Sequence, residues 1–357
     1  MTAVAPPEPL VETRVSTSSS VRPRRFAWWP MAAAGVLLVA VMIAGVSIGP
    51  VTLGWWEVLH ALVDADSPDS PLVRDVRAPR VVVAGVVGAA LAGVGAVMQA
   101  VFRNPLADPG ITGVASGAAV GAVAVLVSGT TVLGSASVPL GAFAGAAVAA
   151  LSLLLVARMR ADASPVTFVL VGITVGSFCS AVTAALVANA PTDSAVRSVM
   201  FWVNGDLTSR TWTDVWLSLP PILLGAAVLV SRHRVLDALL LGEPTATSMG
   251  VDVHREQLVL LLAGALVTGA AVAVTGVIAF VGLVVPHAVR LVLGTRHRIL
   301  LPASMLSGAI FLILTDLAAR MLFDPVVLQT GTVAALVGSP VFAWLVLRSG
   351  SHQAGAA

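Results

Sequence analysis

Asp316 and Arg320 stand four residues apart inside the apolar run LSGAIFLILTDLAAR, residues 306–320. On a helix that spacing places a carboxylate and a guanidinium on one face, where they can pair. In lipid such a pair is either a structural ion pair near a helix end or a mark of substrate or proton traffic. A proton-coupled transporter would show more buried carboxylates and histidines than this chain has. The six histidines, His60, His233, His254, His287, His297 and His352, are dispersed, and none has the paired helical spacing of a metal site. Cys179 is the single cysteine; it cannot form an intrachain disulfide, and its apolar surroundings suit a small packing residue. Nucleophile elbows and adjacent helical carboxylates are absent. Lysine is absent from the whole chain, which removes the phosphate-binding loop G-x-x-x-x-G-K-[ST]. The residues therefore argue against an enzyme, a metal centre and a nucleotidase.

The elements around these residues are membrane helices. Only 11% of the 357 residues are charged and 57% are hydrophobic, with a mean hydropathy of +0.96. A soluble domain carries roughly a quarter charged residues; so few cannot cover a water-facing surface, and lipid must replace water over much of it. The twenty basic residues are all arginines scattered between apolar runs, so the pI of 9.8 reflects loop charges and not nucleic-acid binding. Ten apolar runs predict ten transmembrane helices, near 28–48, 80–101, 113–128, 138–157, 166–189, 214–231, 256–275, 276–293, 300–322 and 331–347. The seventh and eighth are divided at Thr275–Gly276 because together they are too long for one span. Residues 1–25, rich in Pro, Ser, Thr and Arg, read as a disordered tail. Residues 26–348 form a ten-helix membrane domain and 349–357 a short C-terminal tail. Arg22, Arg24 and Arg25 ahead of the first run resemble the start of a signal peptide, but the run is long for one, and it reads as an uncleaved helix with Trp28 and Trp29 at the interface.

With the N-terminus in the cytoplasm, fourteen arginines fall inside and six outside, namely Arg74, Arg77, Arg80, Arg197, Arg210 and Arg320. The positive-inside rule favours this orientation, with both termini cytoplasmic. Ten spans divide into two halves of five, which would be inverted repeats; the glycine-rich second and seventh runs each lead to a proline-containing stretch. Glycines repeat every four residues at Gly113, Gly117 and Gly121, and at Gly141 and Gly145, a spacing that allows close backbone approach between helices. Between the sixth and seventh runs lies HRVLDALLLGEPTATSMGVDVHRE, residues 233–256. Leu236, Leu239, Leu240 and Leu241 give an apolar face too short to span. Gly242 breaks it, and Glu243–Pro244 can start a second short helix ending near Gly250. Two short helices at the membrane surface would form a docking platform.

Four blocks then carry a resemblance: RAPRVVVAGVVGAALAGVGAVMQAVFRNPLADPGITGVASGAAVG (77–121), LGEPTATSMGV (241–251), GVIAFVGLVVPHAVRLVLGTRHRILLPAS (276–304) and LTDLAARMLFDPVVLQTGTVAALVGSPVFAWLVLR (314–348). In order and spacing they resemble the iron–siderophore and cobalamin permease subunits of type II ABC importers. The resemblance implies an all-α integral membrane protein of the cell (inner) membrane that pairs with a second copy or a related permease around a central pathway. It also implies ABC ATPase subunits that carry the ATP and Mg, with no cofactor on this chain, and an extracytoplasmic substrate-binding protein. Leu241, Gly242, Glu243, Thr245, Ser248, Met249 and Gly250 would touch the ATPase. Arg77, Arg80 and Arg320 match family arginines that receive acidic residues of the binding protein. The gate between the fourth and fifth helices would fall at Ser164, Pro165, Val166 and Thr167, where Pro165–Val166 departs from the family's pattern; Ala279 replaces a frequent glycine. Asn104, Pro105, Asp108 and Pro109 shape a tight turn, with Asp108 capping the helix that follows. Pro286 interrupts the eighth helix, where His287 would satisfy a freed carbonyl. The implied substrate is a ferric siderophore, with cobalamin and haem as alternatives, and a secondary transporter is the competing class.

Overall fold

The computed structural model describes residues 29–159, 165–322 and 326–353. Each of the ten apolar runs contains a helix: α1 (Trp29–Ser47), α3 (Ala78–Val101), α4 (Val114–Ser128), α5 (Ser137–Met159), α6 (Pro165–Ala188), α8 (Trp212–Ser231), α11 (Val253–Thr275), α12 (Val281–Leu293), α13 (His297–Met321) and α14 (Thr330–Gln353). Four shorter helices join them: α9 (His233–Leu240) and α10 (Glu243–Ser248), where two short helices are expected, and α2 (Trp55–Val63) and α7 (Asp193–Val203), which were not expected. Among the described residues, seven helices are long and apolar enough to cross a membrane, and α4, α12 and Thr330–Leu345 of α14 are shorter apolar helices.

The most enclosed spans are α3, continued backwards to Leu72, and α11; 78% of each apolar window is buried, against 22% for α1 and 6% for α6. α13, α12, α8 and α11 surround α3, while α11 also packs on α5, and α4 joins α5 to α6. The contacts run through backbone. Gly88 of α3 faces Gly308 of α13, and Gly95 of α3 faces Gly282 of α12, so closely that a Cβ on either α3 glycine would overlap the opposing carbonyl. The two glycine series seen in the sequence meet each other: Gly117 lies on Gly145, whose carbonyl oxygen would sit 2.6 Å from a Cβ there, and Gly121 lies on Gly141. Lipid tails are as apolar as leucine, so helices gain by van der Waals packing at close range, which small residues permit.

The eighth helix begins five residues later than the apolar run. Residues 276–280 form an irregular turn between α11 and α12, with Gly276 at φ 71° and Phe280 at φ 68°. Asp206 N–H donates to the Thr275 carbonyl at the start of the turn (2.8 Å), and Gly205 and Gly331, joined to each other by a backbone bond (2.9 Å), pack against the Val277 carbonyl. Trp202's carbonyl crowds the place where a Gly276 Cβ would stand. Non-helical backbone near membrane depth survives where protein satisfies it.

α2 and α7 are short surface helices. α2 buries Val58 and Ala61 and leaves Trp55 and Trp56 exposed, stacked edge-to-face with ring centroids 5.7 Å apart; indoles favour the membrane–water boundary. Arg74 closes the carbonyl end of α2, donating through Nε to Ala61 (3.0 Å) and through Nη2 to Leu62 (2.7 Å), where a cation also meets the negative end of the helix dipole. α7 starts at Thr192, whose Oγ1 accepts from Ala195 N–H at 3.2 Å, and buries Val199 and Trp202 on one face.

The α3–α13 contact gives a direct test. Gly88→Val is expected to destabilise the detergent-solubilised protein by about 1–3 kcal/mol through overpacking. Gly35→Ala on α1, where nothing lies within 4 Å of the added carbon, is expected to leave the melting temperature unchanged.

Candidate functional site

The surface platform is α9 and α10. α9 is eight residues long, too short to span, and lies with Leu236 and Leu239 fully buried one turn apart. Gly242, at φ 100°, and Gly250, at φ 84°, turn the chain into and out of α10 in a region of backbone space that glycine enters freely. Pro244 sits in the first turn of α10, where its missing N–H costs nothing. This geometry leaves Leu241 and Met249 each 62% exposed. Thr245, Ser248 and Gly250 are exposed beside them, while Gly242 and Glu243 are half-buried.

Four polar contacts bind the platform and its neighbourhood to the bundle. Asp237 Oδ1 accepts from both the backbone N–H and Nδ1 of His297, each at 2.8 Å, joining α9 to the start of α13. Glu243 Oε1 meets Arg103 Nη2 at 3.4 Å and Gln257 Nε2 at 3.5 Å, joining α10 to the turn after α3 and to α11. Arg232 Nε lies 3.4 Å from Glu256 Oε2, joining the end of α8 to α11. Glu243 therefore anchors the platform, and Leu241 and Met249 are its presented surface. Sequence reasoning passed over Asp237 and Arg103. A lone acid between the leucines of HRVLDALL was the available signal for the first.

At the opposite ends of α3 and α13, Arg77, Arg80 and Arg320 converge, each 6–7% exposed. Arg80 pairs with Asp316 in a two-atom fork, Nη2 to Oδ1 at 2.8 Å and Nε to Oδ2 at 3.0 Å. Thr330 Oγ1 adds a bond to Asp316 Oδ1 at 3.0 Å. Arg320 Nε lies 3.3 Å from Asp316 Oδ2, as the spacing predicted, and its Nη atoms reach the carbonyls of Gly45 (3.0 Å) and Ile48 (3.2 Å). Arg77 donates to the carbonyls of Val46 (2.8 Å), Ser47 (3.1 Å) and Val51. These donors close the carbonyl end of α1. An outside carboxylate would have to compete with bonds the arginines already make.

The turn after α3 is built as its residues suggest. Asn104 Oδ1 accepts from Leu106 N–H (2.9 Å), and Asp108 Oδ1 accepts from Gly110 N–H (2.8 Å). Pro105 lies in the loop, and Asp108 caps a single 3-10 turn, Pro109–Thr112, rather than α4 itself. The expectation for His287 is corrected. Pro286 does lie inside α12, but neither ring nitrogen of His287 has a hydrogen-bond partner among the described residues. The carbonyl reached from outside the helix is that of Leu283, by Gln99 Nε2 at 3.1 Å, because Gln99 on α3 faces α12 directly. Of the gate residues, Ser164 lies outside the described residues; Pro165 begins α6, Val166 is exposed and Thr167 is half-buried.

Two further features accompany these sites. A cavity of 580 Å³ opens between α4, α5, α7 and α8, lined by Arg197, Arg210, Asp206, Asp214 and several hydroxyl side chains. α6, the least buried span, exposes Thr174, Ser177 and Ser180 among its apolar residues.

The sequence matches the FecCD transport family over residues 37–348. It is 40% identical over 364 residues to the cobalamin import system permease protein BtuC of Halobacterium salinarum, covering 90% of this chain and 96% of that one. It is 35% identical over 320 residues to the Fe(3+) dicitrate transport system permease protein FecD of Escherichia coli, covering 88% and 98%. A solved structure of an inward-facing metal-chelate type ABC transporter superposes with a TM-score of 0.78 at 31% identity, covering 90% of this chain and all of that one. The chain belongs to the FecCD transport family: it is an integral membrane permease of the metal-chelate, haem and vitamin B12 class of ABC importer, a transport subunit and not an enzyme.

Proposed function

We propose that this permease docks one ABC ATPase on α9–α10, takes substrate from an extracytoplasmic binding protein on the opposite face, and pairs with a second permease copy or a related one. The observation that carries the reading is the platform itself. A short amphipathic helix pair, clamped to three spans by Asp237 and Glu243, presents two large apolar side chains, Leu241 and Met249, to water. Exposed apolar residues on a braced surface suit a protein partner. ATP and Mg belong to that partner. The platform face is cytoplasmic in this reading, as the arginine distribution favours, and both termini lie there.

On the opposite face, Arg77 and Arg320 hold mainly neutral carbonyls, whereas Arg80 holds a buried carboxylate. Docking there proceeds by exchange: acidic residues of the binding protein replace the carbonyl partners of Arg77 and Arg320, and Arg80 stays on Asp316. The hydroxyls on α6 fit a helix that faces a second copy across a wetted pathway better than one that faces lipid alone. Ser164 to Thr167, at the start of that helix, remain the proposed gate.

The substrate is a metal chelate. The motif resemblance favours a ferric siderophore. A second reading, cobalamin, is supported by the 40% identity to the Halobacterium salinarum permease against 35% to the iron-dicitrate permease. Uptake of radiolabelled cobalamin and of a radiolabelled ferric siderophore into proteoliposomes carrying permease, ATPase and binding protein separates the two. ATP-driven accumulation of only one assigns it, and accumulation of neither rejects both and turns the reading to haem, the remaining alternative.

Leu241→Glu together with Met249→Glu is expected to abolish ATPase association without lowering the melting temperature. Retained association and coupled hydrolysis would sink the platform assignment. Gly250→Arg should block coupling as well. Arg77→Ala is expected to weaken binding-protein affinity while the permease stays folded. Arg80→Ala, which leaves Asp316 buried without its main partner, is expected to cost about 3–5 kcal/mol of stability. Calorimetry and a binding titration on the same preparations distinguish these outcomes.

A further inference from the structure

A second basic site lies beside α9, on its flank toward α1. A cavity of 750 Å³ is walled by Arg234 of α9, Arg296 and Arg298 at the start of α13, His233, Asp237 and Met31 of α1. All three arginines are exposed, and none makes a side-chain hydrogen bond or ion pair among the described residues. Asp237, the one acid, is spent on His297. Arg296 is the residue that precedes the first turn of a 25-residue helix, whose dipole adds to the positive field, while its first N–H is already taken by Asp237. Three uncompensated cations in a cavity favour an anion.

The shape says which anion. Met31, one wall of the cavity, lies four residues before Gly35, on the same face of α1. There an apolar groove begins, formed by Ala32, Gly35, Val36, Val39 and Ile43. α1 is only 22% buried, so this groove faces the surrounding lipid. A positively charged chamber thus lies one helical turn from an open apolar depression on the surface of a little-buried helix. Basic pockets between transmembrane helices hold anionic lipid headgroups by this arrangement. We propose that the site binds one anionic phospholipid of the leaflet next to the N-terminal end of α1, its phosphate held by Arg234, Arg296 and Arg298 and an acyl chain lying in the α1 groove. The bound lipid would brace α1 against α9 and α13 at the edge of the platform.

The test is native mass spectrometry of the full chain, equilibrated in detergent with phosphatidylglycerol or with phosphatidylcholine of matched acyl chains. Phosphatidylglycerol should be retained preferentially. Arg234→Gln, Arg296→Gln and Arg298→Gln should each weaken retention by about fivefold, so single variants carry the test if the triple variant does not fold. Gly35→Leu fills the groove where the glycine has open space and should weaken phosphatidylglycerol several-fold. Millimolar inorganic phosphate should not displace the lipid. Equal retention of the two lipids, or arginine variants that retain phosphatidylglycerol fully, overturns the proposal. Displacement by phosphate with no effect of Gly35→Leu would make it a free-phosphate site. Arginine variants that lose the ATPase while keeping the lipid would make the cluster a protein contact.

Discussion

The structure depends on backbone lying against backbone inside lipid. Water drives apolar helices together in a soluble protein, but lipid offers no such force, so cohesion here comes from how near two helix axes can come. α3 shows the consequence. Gly88 and Gly95 sit two turns apart on the same helix, and each meets a glycine of a different neighbour, Gly308 of α13 and Gly282 of α12. One helix thereby becomes the axis to which two others are fixed at close range. The 78% burial of its window follows, and so does the placement of both candidate sites, which are the two ends of this α3–α13 unit and the chain joined to it.

Within the α3–α13 unit charge is confined to those ends, and it is used differently at each. At the Arg80–Asp316 end the groups are almost fully buried and satisfy one another, with Thr330 completing the carboxylate. Burial makes each charge expensive to leave alone, so this end fixes the register of α3 against α13. At the platform end the bonds are longer and wetter: Arg103 and Glu243 are 44% and 43% exposed at 3.4 Å. Exposed pairs contribute little stability. Their value is positional, since they aim α10 relative to α3 and α11, while the less exposed Asp237–His297 contact sets α9 on α13.

Hydrophobic runs made the spans legible, because ten apolar stretches in lipid have few structures open to them. The helix edges agreed within a few residues except at Gly276 and at the end of α14, which runs six residues past its apolar stretch to Gln353. At Gly276 a continuous apolar sequence hides an irregular turn held by Asp206 N–H on the Thr275 carbonyl and packed against Trp202 and Gly205, about seventy positions away. Local pattern cannot carry that information. The same holds for the site. The four-residue spacing of Asp316 and Arg320 did pair them, yet the stronger partner of Asp316 is Arg80, 236 residues distant. The glycine series announced close packing, though not that Gly117 and Gly121 would lie on Gly145 and Gly141. α2 and α7 escaped notice because short amphipathic surface helices give a mixed signal that a span-length window averages away. Leu241 and Met249 were found from the family's motif and from the break at Gly242; their exposure is a property of the fold.

This division of contacts has a mechanical consequence for the proposed transport cycle. α3 and α13 are joined by a buried ion pair near one end, by glycine contact in the middle and through α9 near the other. A push on the platform therefore moves them as one body. α4, α5 and α6 reach that body mainly through α11 and the turn Pro109–Thr112 and not by packing on α3 or α13 themselves. The hydroxyls of Ser128, Ser152 and Thr174 bond to carbonyls one turn back in their own helices, leaving small apolar side chains and glycines at the mutual surfaces. Such surfaces hold helices close without fixing a register by directional bonds, so sliding along them costs less than parting Arg80 from Asp316. Alternating access by rigid-body rocking then has a natural partition in this chain. In the proposed cycle the braced α3–α13 body would follow the ATPase, and the α4–α6 group, carrying the exposed hydroxyls of α6, would shift against it to open and close the pathway.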